Sequence, residues 1–185
     1  MSDAVTLPAD AFRYDWLTRK LHWLTFLLVV ALYSSAQVID FFPRDGGRVE
    51  ARSVHIVLGL SLLAVVLVRL AWRKTPWGGR QPPRAGLGDL AARGIQLLLV
   101  LLIGINILFG LLNVAVRGDA IFTWVKLPPL GAGFPGVRDV VGGIHEWGAN
   151  LIVALAGLHA LAALAHHYLL RDGILRRMLP RGRAA

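Results

Sequence analysis

The sequence predicts an all-α protein, a transmembrane four-helix up-down bundle, and three observations carry that prediction. Of 185 residues, 56% are hydrophobic and only 17% charged, whereas a soluble domain is about 45–50% apolar and about 25% charged. The apolar residues gather into four charge-free runs, Leu21–Ile39, Ser53–Val68, Gly94–Val116 and Trp147–Leu170, close to the roughly 17–25 residues that a membrane-spanning helix needs. The segments between them are rich in Pro and Gly, the residues of turns. A water-soluble enzyme and a disordered basic protein are both excluded.

The elements follow in order, as one domain over 1–185. The first helix is expected over about 16–38. Asp40-Phe-Phe-Pro-Arg-Asp-Gly-Gly47 reads as an outer loop by its turn residues. The second helix is expected over about 53–72. Its charge-free run is short, but it continues past Arg69 through Trp72, and an Arg near a span end snorkels to the interface. Thr75-Pro-Trp-Gly-Gly-Arg-Gln-Pro-Pro83 cannot be helical. The third helix is expected over about 89–116. The outer segment 117–139 is long enough to be functional or to hold a short element. The fourth helix is expected over about 141–170, and a basic tail closes the chain.

The net charge of +9 would suggest nucleic acid in a soluble protein. Here the membrane accounts for it, and no nucleic-acid partner is expected. Thirteen Lys and Arg fall in the N-terminal segment, the second loop and the C-terminus, against six in the first and third loops. The positive-inside rule therefore places both termini in the cytoplasm. The first 15 residues are polar and the first apolar run is long enough to span, so no cleavable signal peptide is expected. There is no cysteine. That removes disulfides, iron–sulfur clusters, thiolate-ligated haem and covalent haem attachment.

The six histidines are the informative residues. His22, His55, His145, His159, His166 and His167 all lie on helices one, two and four. Ionisable side chains inside a span mark function by default, because burying them unpaired is costly. His145 and His159 are 14 residues apart, about 21 Å along a helix and within about 40° of one face. Topology puts His55 level with His145 near the outer face, and His22 level with His159 near the cytoplasmic face. The result is two His pairs stacked across the membrane. Zinc between each pair would need further ligands, and the acid nearby is Glu146, in a run that is not HExxH because position 149 is Ala. Iron in haem b (iron protoporphyrin IX) needs only two axial imidazoles and an apolar slot. Gly59, Gly94, Gly104, Gly110, Gly148 and Gly157 could line such a slot or serve close helix packing.

Arg69 lies 14 residues after His55, on the same face and level with the lower pair. It reads either as a propionate partner or as a snorkelling cation. His166 lies seven residues after His159, on the same stripe two turns lower. There it would bond a propionate or a quinone carbonyl, or sit at the interface.

Trp16-Leu-Thr-Arg-Lys-Leu-His-Trp-Leu24, Phe41-Phe-Pro-Arg44, His55-Ile-Val-Leu-Gly59 with Val68-Arg-Leu70, and Ile144-His-Glu146, Gly157-Leu-His-Ala160 and Ala165-His-His-Tyr168 resemble the bacterial cytochrome b561 family over nearly the whole chain. The resemblance implies a bundle of the bacterial inner membrane that holds two haems b and exchanges electrons with ubiquinone. It implies His22, His55, His145 and His159 as iron ligands. The family includes superoxide oxidase, which passes an electron from superoxide to ubiquinone. On that reading the cations Arg117, Lys126 and Arg138 of the long outer segment would draw in the superoxide anion; binding of propionates or lipid phosphates is their other role. The alternative function is an anchor subunit, a cytochrome b that takes electrons from a partner dehydrogenase or hydrogenase. Short loops favour the diffusible donor.

Overall fold

The structure, a computed structural model, describes residues 13–43, 46–78, 87–122, 124–126 and 128–179. Four long helices dominate it: α1 (Trp16–Val38), α2 (Gly46–Arg73), α3 (Leu87–Arg117) and α4 (Val137–Ala165). All four are long and apolar enough to cross a membrane. They form a four-helix bundle in which α1 packs chiefly on α2 and α3 on α4, with α2 and α3 touching between the two hairpins. Most large apolar side chains face outward, as on α3 at Leu97, Leu101, Ile105 and Leu108. That is the surface a bilayer covers, and a helix is one of the two structures that satisfy their backbone polar groups in lipid.

Local chemistry sets the helix ends. Asp15 caps α1 by accepting from the Thr18 amide at 2.9 Å, a contact type that contributes about 1 kcal/mol. It also accepts from the Trp72 indole at 3.0 Å, which ties the start of α1 to the end of α2. Partial burial pushes the Asp15 carboxyl up, but the bonds from Thr18 and Trp72 outweigh it and hold it below the usual carboxylate value. α3 stops where Gly118 turns to φ 68° and its amide returns to the Val114 carbonyl at 3.0 Å. This is the left-handed cap that glycine permits.

Three boundaries correct the sequence expectation. α2 begins at Gly46 rather than 53, so Arg48 and Arg52 lie on a helix, not in a loop. Arg48 there bonds the Asp40 and Phe42 carbonyls at 3.0 and 2.9 Å, holding the α1–α2 turn shut. The charge-free criterion missed this stretch because it carries Arg48, Glu50 and Arg52. α3 begins at Leu87, two residues early. α4 begins at Val137, after Gly136 at φ 80°. Beyond Ala165 its hydrogen bonding widens to a π-helix over His166–Leu170. The outer segment carries a small antiparallel ribbon, β1 (Ala120–Ile121) with β2 (Val125–Lys126). Arg44, Arg80, Arg84, Arg181 and Arg183, part of the charge asymmetry, lie outside the described residues.

The buried core is small: Leu62, Val66, Ile103 and Ile152, with Leu28, Val29, Leu32, Leu102 and Ile107 against it. Ile152 falls seven residues from both His145 and His159. The apolar cluster therefore sits about 10 Å from each, at mid-height.

Candidate functional site

The bundle brings the four histidines into two facing pairs. His55 of α2 and His145 of α4 have ring centres 6.2 Å apart and planes at 88°. His22 of α1 and His159 of α4 have ring centres 6.4 Å apart and planes at 71°. An imidazole nitrogen sits about 2 Å from an iron it ligates and about 1.1 Å from its own ring centre. Two imidazoles that held one iron between them would therefore have ring centres about 6.2 Å apart. Both separations match.

The donor chemistry of the outer pair matches too. Ser35 donates its one hydroxyl proton to the Leu32 carbonyl at 2.8 Å. It must therefore accept from His55 Nδ1, 2.9 Å away. His145 Nδ1 lies 2.9 Å from the Asn106 carbonyl, which can only accept. Each ring thus carries its proton on Nδ1 and leaves the Nε2 lone pair bare. That is the tautomer a metal-ligating His adopts when a second-shell acceptor holds its other nitrogen. Among the described residues no three His, Asp or Glu side chains gather as a metal-ion site. Two imidazoles are what each pair presents, and two are what haem b takes.

Arg69 reaches the inner pair. Its Nη1 donates to Thr25 at 2.8 Å, and Thr25 is buried three residues beyond His22. Depth counting had placed Arg69 at this level. The glycines divide. A Cβ on Gly110 would lie 2.9 Å from His145 Cε1, so α3 rests directly on that imidazole. A Cβ on Gly148 would meet Asn106 Oδ1 at 2.4 Å, so Gly148 serves α3–α4 contact rather than a slot. Gly94, Gly104 and Gly157 have no such neighbour within 4 Å, and Gly59 has only Leu32 at 4.0 Å.

At the outer end the ribbon is pinned beside the pair. Ser53, fully buried, accepts from the Phe122 amide at 2.8 Å and donates to the Val49 carbonyl at 2.7 Å. Asp119, nearly buried, takes Arg52 at 2.8 Å and Arg117 at 3.6 Å. The three expected outer cations are therefore unequal. Arg117 is partly neutralised. Lys126 and Arg138 are exposed and make no ion pair among the described residues.

At the other end His166 Nδ1 donates to Asp172, whose second oxygen accepts from the Ile174 amide at 3.1 Å. The tail then crosses the start of α1, where Arg19 and Trp23 donate to the Leu179 and Met178 carbonyls at 2.7 and 3.0 Å. Slight burial raises the Asp172 carboxyl, but the His166 and Ile174 bonds outweigh it and lower it from the ordinary value. A lowered carboxylate contributes stability above its unfolded pKa, about 3.9, and loses it as pH falls through the lower folded value. The protection factor of the Ile174 amide, its exchange rate set against the free-amide rate at the same pH, should accordingly fall below about pH 4. In Asp172→Ala, which removes the acceptor, the protection factor should be low throughout; equal protection in both proteins would remove the carboxylate from the turn.

Ser35, Thr25 and Ser53 were missed from sequence; a hydroxyl within three residues of a span histidine is a usable signal for Thr25 and Ser53, whereas Ser35 lies 20 residues from the His55 it bonds. Asn106 acts through its backbone carbonyl, which no side-chain pattern announces.

A bundle of four membrane-spanning helices with an imidazole pair towards each end defines a membrane cytochrome b. The prokaryotic cytochrome b561 family model matches residues 13–181, and the chain belongs to that family, whose cofactor is haem b. It is 32% identical to the probable superoxide oxidase CybB of Yersinia pestis, over 92% of this chain and 98% of that one. It is 29% identical to cytochrome b561 homolog 2 of Escherichia coli, over 90% and 91% of the two chains. It is 31% identical to cytochrome b562 of Cereibacter sphaeroides, over 90% and 94%. Electron transfer in a multi-pass inner-membrane protein is the activity these likenesses carry.

Proposed function

We propose that the chain, as a single domain with both termini in the cytoplasm, is a di-haem b superoxide:ubiquinone oxidoreductase. The observation that supports it most is the pair of imidazole gates, His55 with His145 and His22 with His159, at separations of 6.2 and 6.4 Å. When bound, two haems b supply one-electron redox centres near the two faces of the bilayer. Two superoxide anions give up one electron each and leave as oxygen; ubiquinone takes both electrons and two protons to become ubiquinol.

The residues divide that work. Lys126, Arg138 and the partly neutralised Arg117 attract the anion to the outer face, where the ribbon held by Ser53 shapes the approach. Thr25 holds Arg69 beside the inner pair, where its charge would offset a haem propionate. His166, its Nδ1 committed to Asp172, offers Nε2 to the quinone. On this reading quinone binds at the end where the tail crosses α1.

The deciding experiment is stopped-flow haem reduction by superoxide, with and without quinone. The second-order rate should fall as salt rises, because the Debye length shrinks from about 10 Å at 0.1 M to about 3 Å at 1 M. Charge reversal at Lys126 or Arg138 should lower it more than reversal at Arg117. A rate indifferent to both salt and charge would sink steering; no reduction at all would favour the anchor-subunit function. His166→Ala should slow quinone reduction with both haem spectra intact, and unchanged quinone kinetics would move the quinone to the outer end.

A further inference from the structure

The end of α4 carries a feature that electron transfer does not use. Where the helix widens into its π turn, a groove of about 300 Å³ opens, lined by His167, Tyr168, Arg171, Gly173 and Arg176. Its lining holds two guanidiniums and no carboxylate. The acid in this turn, Asp172, is already engaged by His166 and by the Ile174 amide. Arg171 and Arg176 are exposed and make no ion pair among the described residues. Arg171 is held at φ 52°, a conformation uncommon for a residue with a Cβ, and its amide bonds the His166 carbonyl. Widened π turns occur frequently at functional sites.

We propose that this groove binds the phosphodiester headgroup of an anionic phospholipid. Arg171 and Arg176 supply the charge, and Arg matches phosphate oxygens with paired N–H donors. Tyr168 brings a phenol to the rim, and its ring packs edge-on against His167 at 4.8 Å. The source is a lipid rather than free phosphate because of what adjoins the groove. Leu169 and Leu170 are 79% and 64% exposed directly before Arg171. Acyl chains would cover those side chains while the phosphate meets the guanidiniums. Basic pockets at a membrane boundary select anionic headgroups by this combination.

The test uses the haem-loaded protein in mild detergent. Native mass spectrometry would count retained lipid after mixing with phosphatidylglycerol or phosphatidylcholine. The variants are Arg171→Gly, which suits the left-handed turn, with Arg176→Gln; Arg176→Gln alone; and Lys74→Gln with Arg93→Gln, two exposed cations elsewhere at the same end. Each cation at an anionic surface contributes about fivefold in affinity. The wild type should keep phosphatidylglycerol in preference to phosphatidylcholine. The groove double variant should bind it about 30-fold more weakly and the single variant about fivefold. The distant pair should match wild type, and haem spectra should be unchanged in all. Equal loss in the distant pair would reduce the effect to diffuse surface charge and overturn the site. Retention in the groove double variant would overturn it as well. Displacement by millimolar inorganic phosphate would overturn the lipid as ligand in favour of a free anion.

Discussion

Alanine at His22 or His159 should strip one haem from the purified protein, and alanine at His55 or His145 should strip the other. Each pair offers one imidazole from either side, at 6.4 and 6.2 Å between ring centres. On the proposed function, loss of either ring would leave its haem with one imidazole instead of two. The four variants should fall into two spectral classes, each keeping about half of the haem absorbance, because a low-spin b haem needs both axial bonds. Ser35→Ala should act in the same direction on the outer haem but more weakly. It removes one of the two acceptors beside the His55 ring, the other being the Leu32 backbone, and loss of such a partner costs up to about 10–100-fold in affinity. If His55→Ala and His22→Ala deplete the same haem, the pairing is wrong.

The pairing was legible before any coordinates because α-helices are rulers. A spacing of 14 residues returns to nearly the same face about 21 Å lower. With spans fixed by hydropathy, His55 had to match His145 and His22 had to match His159. Arg69 was placed by the same count and does stand beside His22, through Thr25. What could not be read is lateral. Nothing in the spacing tells that α3, which has no histidine, supplies the carbonyl for His145 from Asn106. Nor does it tell that Arg117 shares Asp119 with Arg52 across 67 residues while Lys126 makes no ion pair among the described residues. The ribbon escaped notice because its strands are two residues long, too short for alternation to register. The glycines looked alike in sequence. Only neighbouring helices separate Gly110, against a ring, from Gly104, against nothing within 4 Å.

Valine at Gly110 should remove the outer haem while leaving the inner one at full occupancy. A Cβ there would stand 2.9 Å from Cε1 and 3.3 Å from Nδ1 of His145. Contacts that close force something to move. The imidazole is rigid, and its Nδ1 is bonded to the Asn106 carbonyl, one turn before Gly110 on α3. It cannot yield without giving up the bond that fixes its tautomer. Separating α3 from α4 is the other escape, but Gly148 already lies against the Asn106 side chain and Gly142 against that of Asn113, so the two helices are in contact on both sides of His145. Overpacking of this kind costs about 1–3 kcal/mol, which the chain can relieve by turning His145 out of line with His55. The spectrum of Gly110→Val should therefore match that of His145→Ala, and Gly110→Ala should fall between it and wild type. Full retention of both haems in Gly110→Val would show that α3 does not position His145. Loss of both would mean that the substitution unfolds the bundle rather than the outer site.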